Sequence, residues 1–276
     1  MADEKRQSKQ DEHFAGTNLE TLHKNLNFTA TEQYKLLRTN LSFTLPEDVK
    51  CPIIGVTSST RGEGKSTTAI NLSYVLAENG KKVLLMDGDL RLPSIAKKMG
   101  LESNPGVTTL LKGGESISMS TFKTDIYSNW YVMPSGEIPP NPSELLGSKR
   151  MENALTMLRE NFDYIVIDLP PVNIVSDALA ISKMITGMLV VVREDFTEKK
   201  ELNTCLQNLK LSNVNVLGLV MNETKSGKGY YSKYRYRYYY KKRSNYYSYY
   251  SSDYGYGYGY GYGNTKKAEK KEKSKK

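Results

Sequence analysis

Ile53-Ile54-Gly55-Val56-Thr57 is an apolar, β-branched run. It leads into Ser59-Thr60-Arg61-Gly62-Glu63-Gly64-Lys65-Ser66, and Lys65 opens a stretch with helical character that runs to Asn79. A strand, a glycine-rich turn and a helix in that order constrain this chain more than any other segment. Glycines let backbone N–H groups crowd around an anion, and the N-terminus of the following helix adds partial positive charge. This is the context a P-loop requires. Lys65 should reach the β and γ phosphates of a nucleotide, and Ser66 should bind Mg²⁺. Thr60, Arg61, Gly62, Glu63, Gly64, Lys65, Ser66 and Thr67 are the candidate nucleotide-binding residues. One departure is visible: Ser59 stands where the usual first glycine would be.

Two acidic segments support the same reading. Val83 to Arg91 reads as a buried strand ending in Asp87-Gly88-Asp89-Leu90-Arg91, and Ile165-Val166-Ile167 ends in Asp168-Leu169-Pro170-Pro171. Carboxylates at strand ends face the phosphate loop, where Mg²⁺ needs oxygen ligands, often through water. Ser66, Asp87 and Asp168 are the candidate metal ligands. Lys65, Asp87 and Asp89 are the candidate catalytic residues, with Asp87 and Asp89 equal contenders for accepting a hydroxyl proton. Arg193 and Asn222 end the last two expected strands and are placed on the adenine side. The chemistry implied is a nucleoside triphosphate, Mg²⁺ and phosphoryl transfer.

From Pro52 onward, short β-rich runs alternate with amphipathic stretches. Strands are expected at 53–57, 82–86, 130–133, 164–168, 188–193 and 216–222. Helices are expected at 65–79, 93–99, 142–146, 149–161, 176–184 and 198–211. Near-continuous apolar strands separated by helices mean a mainly parallel sheet covered on both faces. The expected fold is therefore an α/β three-layer αβα sandwich of the P-loop NTPase kind. An earlier helix is expected from Thr31, as N-cap, to Ser42, where Tyr34, Leu37 and Leu41 form an apolar stripe. The expected division is a flexible N-terminal arm over 1–30, a P-loop domain over 31–222 and a disordered, tyrosine-rich tail over 223–276.

Composition matters here because it is so uneven. The chain has 21 Tyr against 6 Phe and a formal net charge of +9. Residues 223–276 hold 16 of those tyrosines, with 15 basic and 4 acidic side chains; the rest of the chain carries a net charge of −2. This is a nearly neutral domain with a basic aromatic tail. No run approaches the roughly 18 apolar residues of a membrane span, and the polar N-terminus has no signal-like apolar region. The sequence thus points to a cytoplasmic chain, or one held at a membrane by a partner. Cys51 and Cys205 suggest no disulfide framework. His13 and His23 both precede the domain, which excludes a His-based triad or a histidine zinc site within it.

The combination of loop, Asp-x-Asp-x-Arg and Ile-Asp-x-Pro-Pro resembles the bacterial tyrosine kinases of capsule and exopolysaccharide operons. These belong to the deviant P-loop ATPases. The likeness covers roughly Thr31 to Asn222 and includes Pro134-Ser135-Gly136 and Pro139 to Leu146. It implies an ATP-dependent protein-tyrosine kinase that phosphorylates its own tyrosine cluster. The acceptors would be Tyr230, Tyr231, Tyr234, Tyr236, Tyr238, Tyr239, Tyr240, Tyr246, Tyr247, Tyr249, Tyr250, Tyr254, Tyr256, Tyr258, Tyr260 and Tyr262. It also implies control of polysaccharide polymerisation and export, and a membrane-spanning activator that recruits the kinase to the inner face of the membrane. A ring-like homo-oligomer with phosphorylation between chains, and a cognate tyrosine phosphatase, are further implied. No specific nucleic acid is implied. Glu32, Lys35 and Arg38 fall at the family's oligomer-forming Glu-x-x-Arg-x-x-Arg pattern. Lys35 replaces its middle Arg and cannot make the bidentate carboxylate pair that Arg makes.

Partitioning and positioning ATPases are the main alternative. They switch protein partners by nucleotide state without phosphorylating protein. Their extra loop lysine would stand at Thr60, and Arg61 is displaced from that place by one residue. A nucleic-acid-binding ATPase using the basic aromatic tail is a third reading.

Overall fold

The computed structural model describes residues 26–113 and 120–224. Most of the expected arm, the tail from residue 225 and all sixteen tail tyrosines lie outside the described residues. The compact unit ends at Thr224.

The elements run α1 (Phe28–Thr44), β1 (Ile53–Ser58), α2 (Lys65–Glu78), β2 (Val83–Asp87), α3 (Ile95–Met99), α4 (Val107–Lys112), β3 (Phe122–Lys123) and β4 (Trp130–Met133). Then follow α5 (Pro142–Leu146), α6 (Lys149–Arg159), β5 (Tyr164–Asp168), α7 (Asp177–Ala180), a 3₁₀ turn (Ser182–Met184), β6 (Gly187–Arg193), α8 (Lys199–Leu211) and β7 (Val216–Asn222). The sheet order is β3-β4-β2-β5-β1-β6-β7. Every pairing is parallel except that of β3 with β4.

Alternation along each strand divides the core in two. Leu84 and Met86 of β2, with Ile165 and Ile167 of β5, pack among Leu146, Leu155, Leu158, Cys205 and Leu209 of α5, α6 and α8. Val83 and Leu85, with Val166, pack on the opposite face among Ile70, Val75, Ile95 and Leu41 of α2, α3 and α1. Because successive side chains of a strand point to opposite faces, the same apolar runs serve both layers. Trp130, fully buried, donates its indole N–H to Ser73 Oγ at 3.1 Å, so its polar atom is satisfied inside the apolar layer.

The six longer strands fall where the sequence places them, within a residue at each end. The local signals fail at four points. Helix α1 begins at Phe28, not after Thr31, because Asn27 is the cap: its side chain accepts from Ala30 N at 2.9 Å. The helix therefore extends into the expected arm. The two-residue β3 and six-residue α4 are too short to show a period. The expected helix 176–184 divides into α7 and the 3₁₀ turn. Helix α3 begins at Ile95 rather than Pro93, since Asp87 Oδ2 accepts from both Ser94 N and Ile95 N at 3.0 Å. A side chain from the end of β2 thus satisfies amides that the start of a helix leaves without partners.

Helix α1 is fixed to α2 by Arg38. Its Nη1 donates to Val75 O at 2.6 Å and lies 3.8 Å from Glu78 Oε2. Lys35 lies between Glu32 at 3.2 Å and Glu78 at 4.0 Å. Arg38→Ala is expected to lower unfolding stability by about 1–2 kcal/mol, measured as the urea midpoint at unchanged m-value.

Cys51 and Cys205 are both buried and unbridged. Burial pushes their thiols up to about 11 and about 12 respectively. Thiolate is the reacting form. Both thiols are expected to resist a thiol reagent at pH 8 in the folded protein and to react at once in denaturant.

Candidate active site

The site forms where β1, β2 and β5 end side by side. Asp87 and Asp168 are register partners at the last position of the β2–β5 pair. The phosphate loop leaves β1 at Ser58 and closes into α2 at Lys65.

The loop is braced from within. Glu63 is fully buried. Its carboxylate accepts from Ser59 Oγ at 2.7 Å, from Thr60 N at 3.0 Å and from Thr197 Oγ1. Ser59, the departure from the usual glycine, is thus paired with a carboxylate four residues on. Arg193 Nη1 donates to Gly62 O at 3.1 Å, and Asn222 Nδ2 donates to Glu63 O at 3.0 Å. These two residues, expected on the adenine side, each hold a loop carbonyl. Gly64 has φ +93°, and a Cβ there would sit 1.9 Å from Asn222 Nδ2. Only glycine meets both conditions. Thr60 and Thr67 are half-buried, and Arg61 is exposed.

Lys65 draws the acidic strand ends together. Its Nζ lies 2.9 Å from Asp89 Oδ2, 3.3 Å from Asp168 Oδ1 and 3.4 Å from Ser66 Oγ. Burial pulls the ammonium pKa down, but Asp168 and Asp89 outweigh it, leaving the pKa above the ordinary lysine value. Asp168 is completely buried; burial raises its pKa and Lys65 opposes the rise.

The paired aspartates have different surroundings. Asp87 is fully buried and accepts from Asp89 N as well as from Ser94 N and Ile95 N. Burial and the Asp168 charge push it up to about 7, against the pull of those amides. Asp89 holds Lys65 with Oδ2 and accepts Leu92 N at 3.1 Å with Oδ1. The glycine between them is required because a Cβ would lie 2.8 Å from Ile167 Cγ2. Arg91 is tied to the start of α7. Its Nε and Nη2 make a bidentate pair with buried Asp177, at 2.8 and 3.0 Å.

The donor set suits a hard cation. Asp168 Oδ2 is buried without a protein partner, and the Ser66 and Asp168 side chains both approach Lys65. Among the described residues, no three His, Cys, Asp or Glu side chains form a cage of their own. Mg²⁺ needs no such cage, because one or two protein oxygens suffice when phosphate oxygens and water complete the shell.

Residues 51–217 match the AAA domain family model. Tyrosine-protein kinase YwqD of Bacillus subtilis is 37% identical over 205 residues, covering 73% of this chain and 86% of that protein. The chain belongs to the bacterial tyrosine kinases. The kinase domain of the Escherichia coli tyrosine kinase ETK superposes with a TM-score of 0.68 at 27% identity, covering 78% of this chain and 85% of that one. The septum site-determining protein MinD of Pyrococcus horikoshii, complexed with Mg-ADP, shares the fold. Its TM-score is 0.54 at 24% identity, with 65% of this chain and 72% of that one covered. Among the described residues, no helix of this tyrosine kinase is long and apolar enough to cross a membrane.

Sequence reasoning missed Thr197 and Asp177. Neither has a local signal, since each acts across more than 80 residues of chain. The buried role of Glu63 was also hidden, because a glutamate in a glycine-rich turn reads as exposed.

Proposed function

We propose that this tyrosine kinase transfers the γ-phosphoryl group of ATP to tyrosines between Tyr230 and Tyr262 of its own sequence. The observation that carries the proposal is the convergence of Lys65 with Asp89 and Asp168 at the mouth of a glycine-built phosphate loop. In the step, the tyrosine oxygen attacks the γ phosphorus, and a new O–P bond forms as the β–γ bridging bond breaks. The phenolic proton passes to Asp89 and ADP departs. Asp89 suits that role better than Asp87, whose oxygens already accept three backbone amides. Lys65 neutralises charge developing on the phosphoryl oxygens. Thr60 to Thr67 hold the phosphates, with Arg193 and Asn222 fixing the loop from outside. Ser66 and Asp168 would hold Mg²⁺, with Asp87 acting on its water shell; the cation would supply further charge neutralisation.

The tail gives the reaction its consequence. Each phosphotyrosine adds about −1.5 to −2 charges at neutral pH, so roughly six would cancel the excess of positive charge over 223–276. Phosphorylation beyond that number turns a cationic segment anionic and loosens self-association. Homo-oligomerisation through Glu32, Lys35 and Arg38, and recruitment to the inner membrane face by a membrane-spanning activator, belong to the same reading. So do a cognate phosphatase and control of capsular or exopolysaccharide polymerisation and export.

The test mixes a Lys65→Met chain with an active chain ending at residue 224, in ATP and Mg²⁺. Phosphotyrosine on the inactive full-length chain is expected. ATP hydrolysis that leaves that chain unmodified, while full-length active protein modifies itself, would restrict transfer to a single chain. Hydrolysis with no phosphotyrosine on either would overturn the reading.

A further inference from the structure

The chain leaves β7 through a residue with an unusual backbone. Glu223 has φ +51°. A side chain is disfavoured in that conformation, and Asn or Asp is the commoner choice where glycine is not used. Such a residue persists where its surroundings over-determine it. Here the partner is Arg193, whose Nη2 lies 2.6 Å from Glu223 Oε2. The two side chains are 33% and 53% exposed, so their attraction adds little to the stability of the fold. What the pair supplies is geometry.

Arg193 is held on three sides. Its Nη2 meets Glu223, its guanidinium carbon lies 4.9 Å from the centre of the Phe196 ring, and its Nη1 donates to Gly62 O at 3.1 Å. A guanidinium is planar, with its donors in a fixed fork. Once its face lies over a ring and a carboxylate takes one nitrogen, the direction of the other is set, and that direction is the Gly62 carbonyl. The turn that carries Phe196 is anchored in the same way. Thr197 Oγ1 accepts from Arg193 N at 2.9 Å and donates to the Glu63 carboxylate.

The consequence falls on the amide that follows. In a trans peptide the C=O and the next N–H point in opposite directions. Drawing Gly62 O toward Arg193 therefore turns Glu63 N–H away from Arg193. Asn222 does the same for Gly64 N–H by holding Glu63 O at 3.0 Å. Gly62 at φ +84° and Gly64 at φ +93° let the chain follow this path. Successive amides of such a loop are the donors that meet phosphate.

We propose that Glu223 is a positioning residue for the phosphate loop, acting through Arg193 to aim the Glu63 amide at the phosphates of the nucleotide. The proposal rests on the nucleotide site described above and adds a residue that lies outside the loop's own sequence. Glu223 stands 158 positions beyond Lys65, at the junction with the segment that carries the tyrosines. It touches no phosphate; its effect passes through the guanidinium it orients.

The test measures the affinity of the full chain for a fluorescent ATP analogue in Mg²⁺, beside its urea unfolding midpoint. Glu223→Gly removes the carboxylate and also relieves the backbone. Affinity is expected to fall about fivefold, the most an exposed ion pair supplies, while the unfolding midpoint stays level or rises. Glu223→Gln keeps an oxygen acceptor for Arg193 and should lose less. Arg193→Ala should lose at least as much as Glu223→Gly, and adding Glu223→Gly to it should cost nothing more. Parent affinity in Glu223→Gly, or full additivity of the two losses, would overturn the proposal and leave the nucleotide site standing. So would an unfolding midpoint that falls in step with affinity, since Glu223 would then act on the fold and not on the loop. A folded parent that binds no nucleotide would overturn the proposal and the site together.

Discussion

Lys65→Met is expected to abolish phosphate incorporation into the tail, with a loss of about a thousandfold or more in transfer rate. The side chain that disappears is the one cation in contact with both Asp89 and Asp168 among the described ion pairs. Methionine keeps much of the length and apolar volume, so the loop should still close. What is lost is the charge that meets the phosphoryl oxygens as they separate from ADP. Stability carries a second signature. Without the ammonium, buried Asp168 has lost the charge that opposes its upward shift, so its carboxyl rises further in the folded state. An unfolded aspartate titrates near 4. Between that value and the higher folded one, the folded protein keeps a proton the unfolded chain has released. The stabilisation this group contributes is then full below about pH 4 and is lost as pH rises. In metal-free buffer, the unfolding midpoint of the variant should decline with pH more steeply than that of the parent. Equal slopes would mean that Lys65 does not oppose the upward shift of Asp168.

Gly64→Ala is expected to weaken nucleotide binding about a hundredfold and to cost roughly 2–4 kcal/mol of stability. Two separate conflicts produce the effect. An L-residue at φ +93° is strained whatever surrounds it, and the new Cβ would lie 1.9 Å from Asn222 Nδ2. Asn222 must withdraw, which breaks its bond to Glu63 O. Adding Asn222→Ala removes the collision but not the backbone strain. The double variant should therefore bind a fluorescent ATP analogue better than Gly64→Ala alone and worse than Asn222→Ala alone. A double variant no better than Gly64→Ala would place the whole effect in the backbone. Parent-like binding by Gly64→Ala would remove the loop from nucleotide binding altogether.

The fold was largely legible because strands buried on both faces must be apolar throughout. The runs ending at Ser58, Asp87, Asp168 and Arg193 could be read directly for that reason. Lys65, Asp87, Asp89 and Asp168 were legible as a set because parallel strands bring their carboxyl ends together. Which partner each side chain takes was not. Asp87 and Asp89 look equivalent in sequence, yet one accepts the amides that start α3 and the other holds Lys65. Arg193 and Asn222 were legible only as strand ends, and the three-dimensional register of β1, β6 and β7 brings them against the loop carbonyls. The same holds for Arg91, whose acid lies 86 positions away.

On the proposed function, phosphate from ATP ends on the tail tyrosines. The direct test is intact-mass measurement of the segment after residue 224, cleaved from full-length protein incubated with ATP and Mg²⁺. A ladder of single-phosphate steps is expected, absent from the Lys65→Met chain and removed when all sixteen tyrosines from Tyr230 to Tyr262 are changed to Phe. ATP turned over to ADP with the segment's mass unchanged would contradict it.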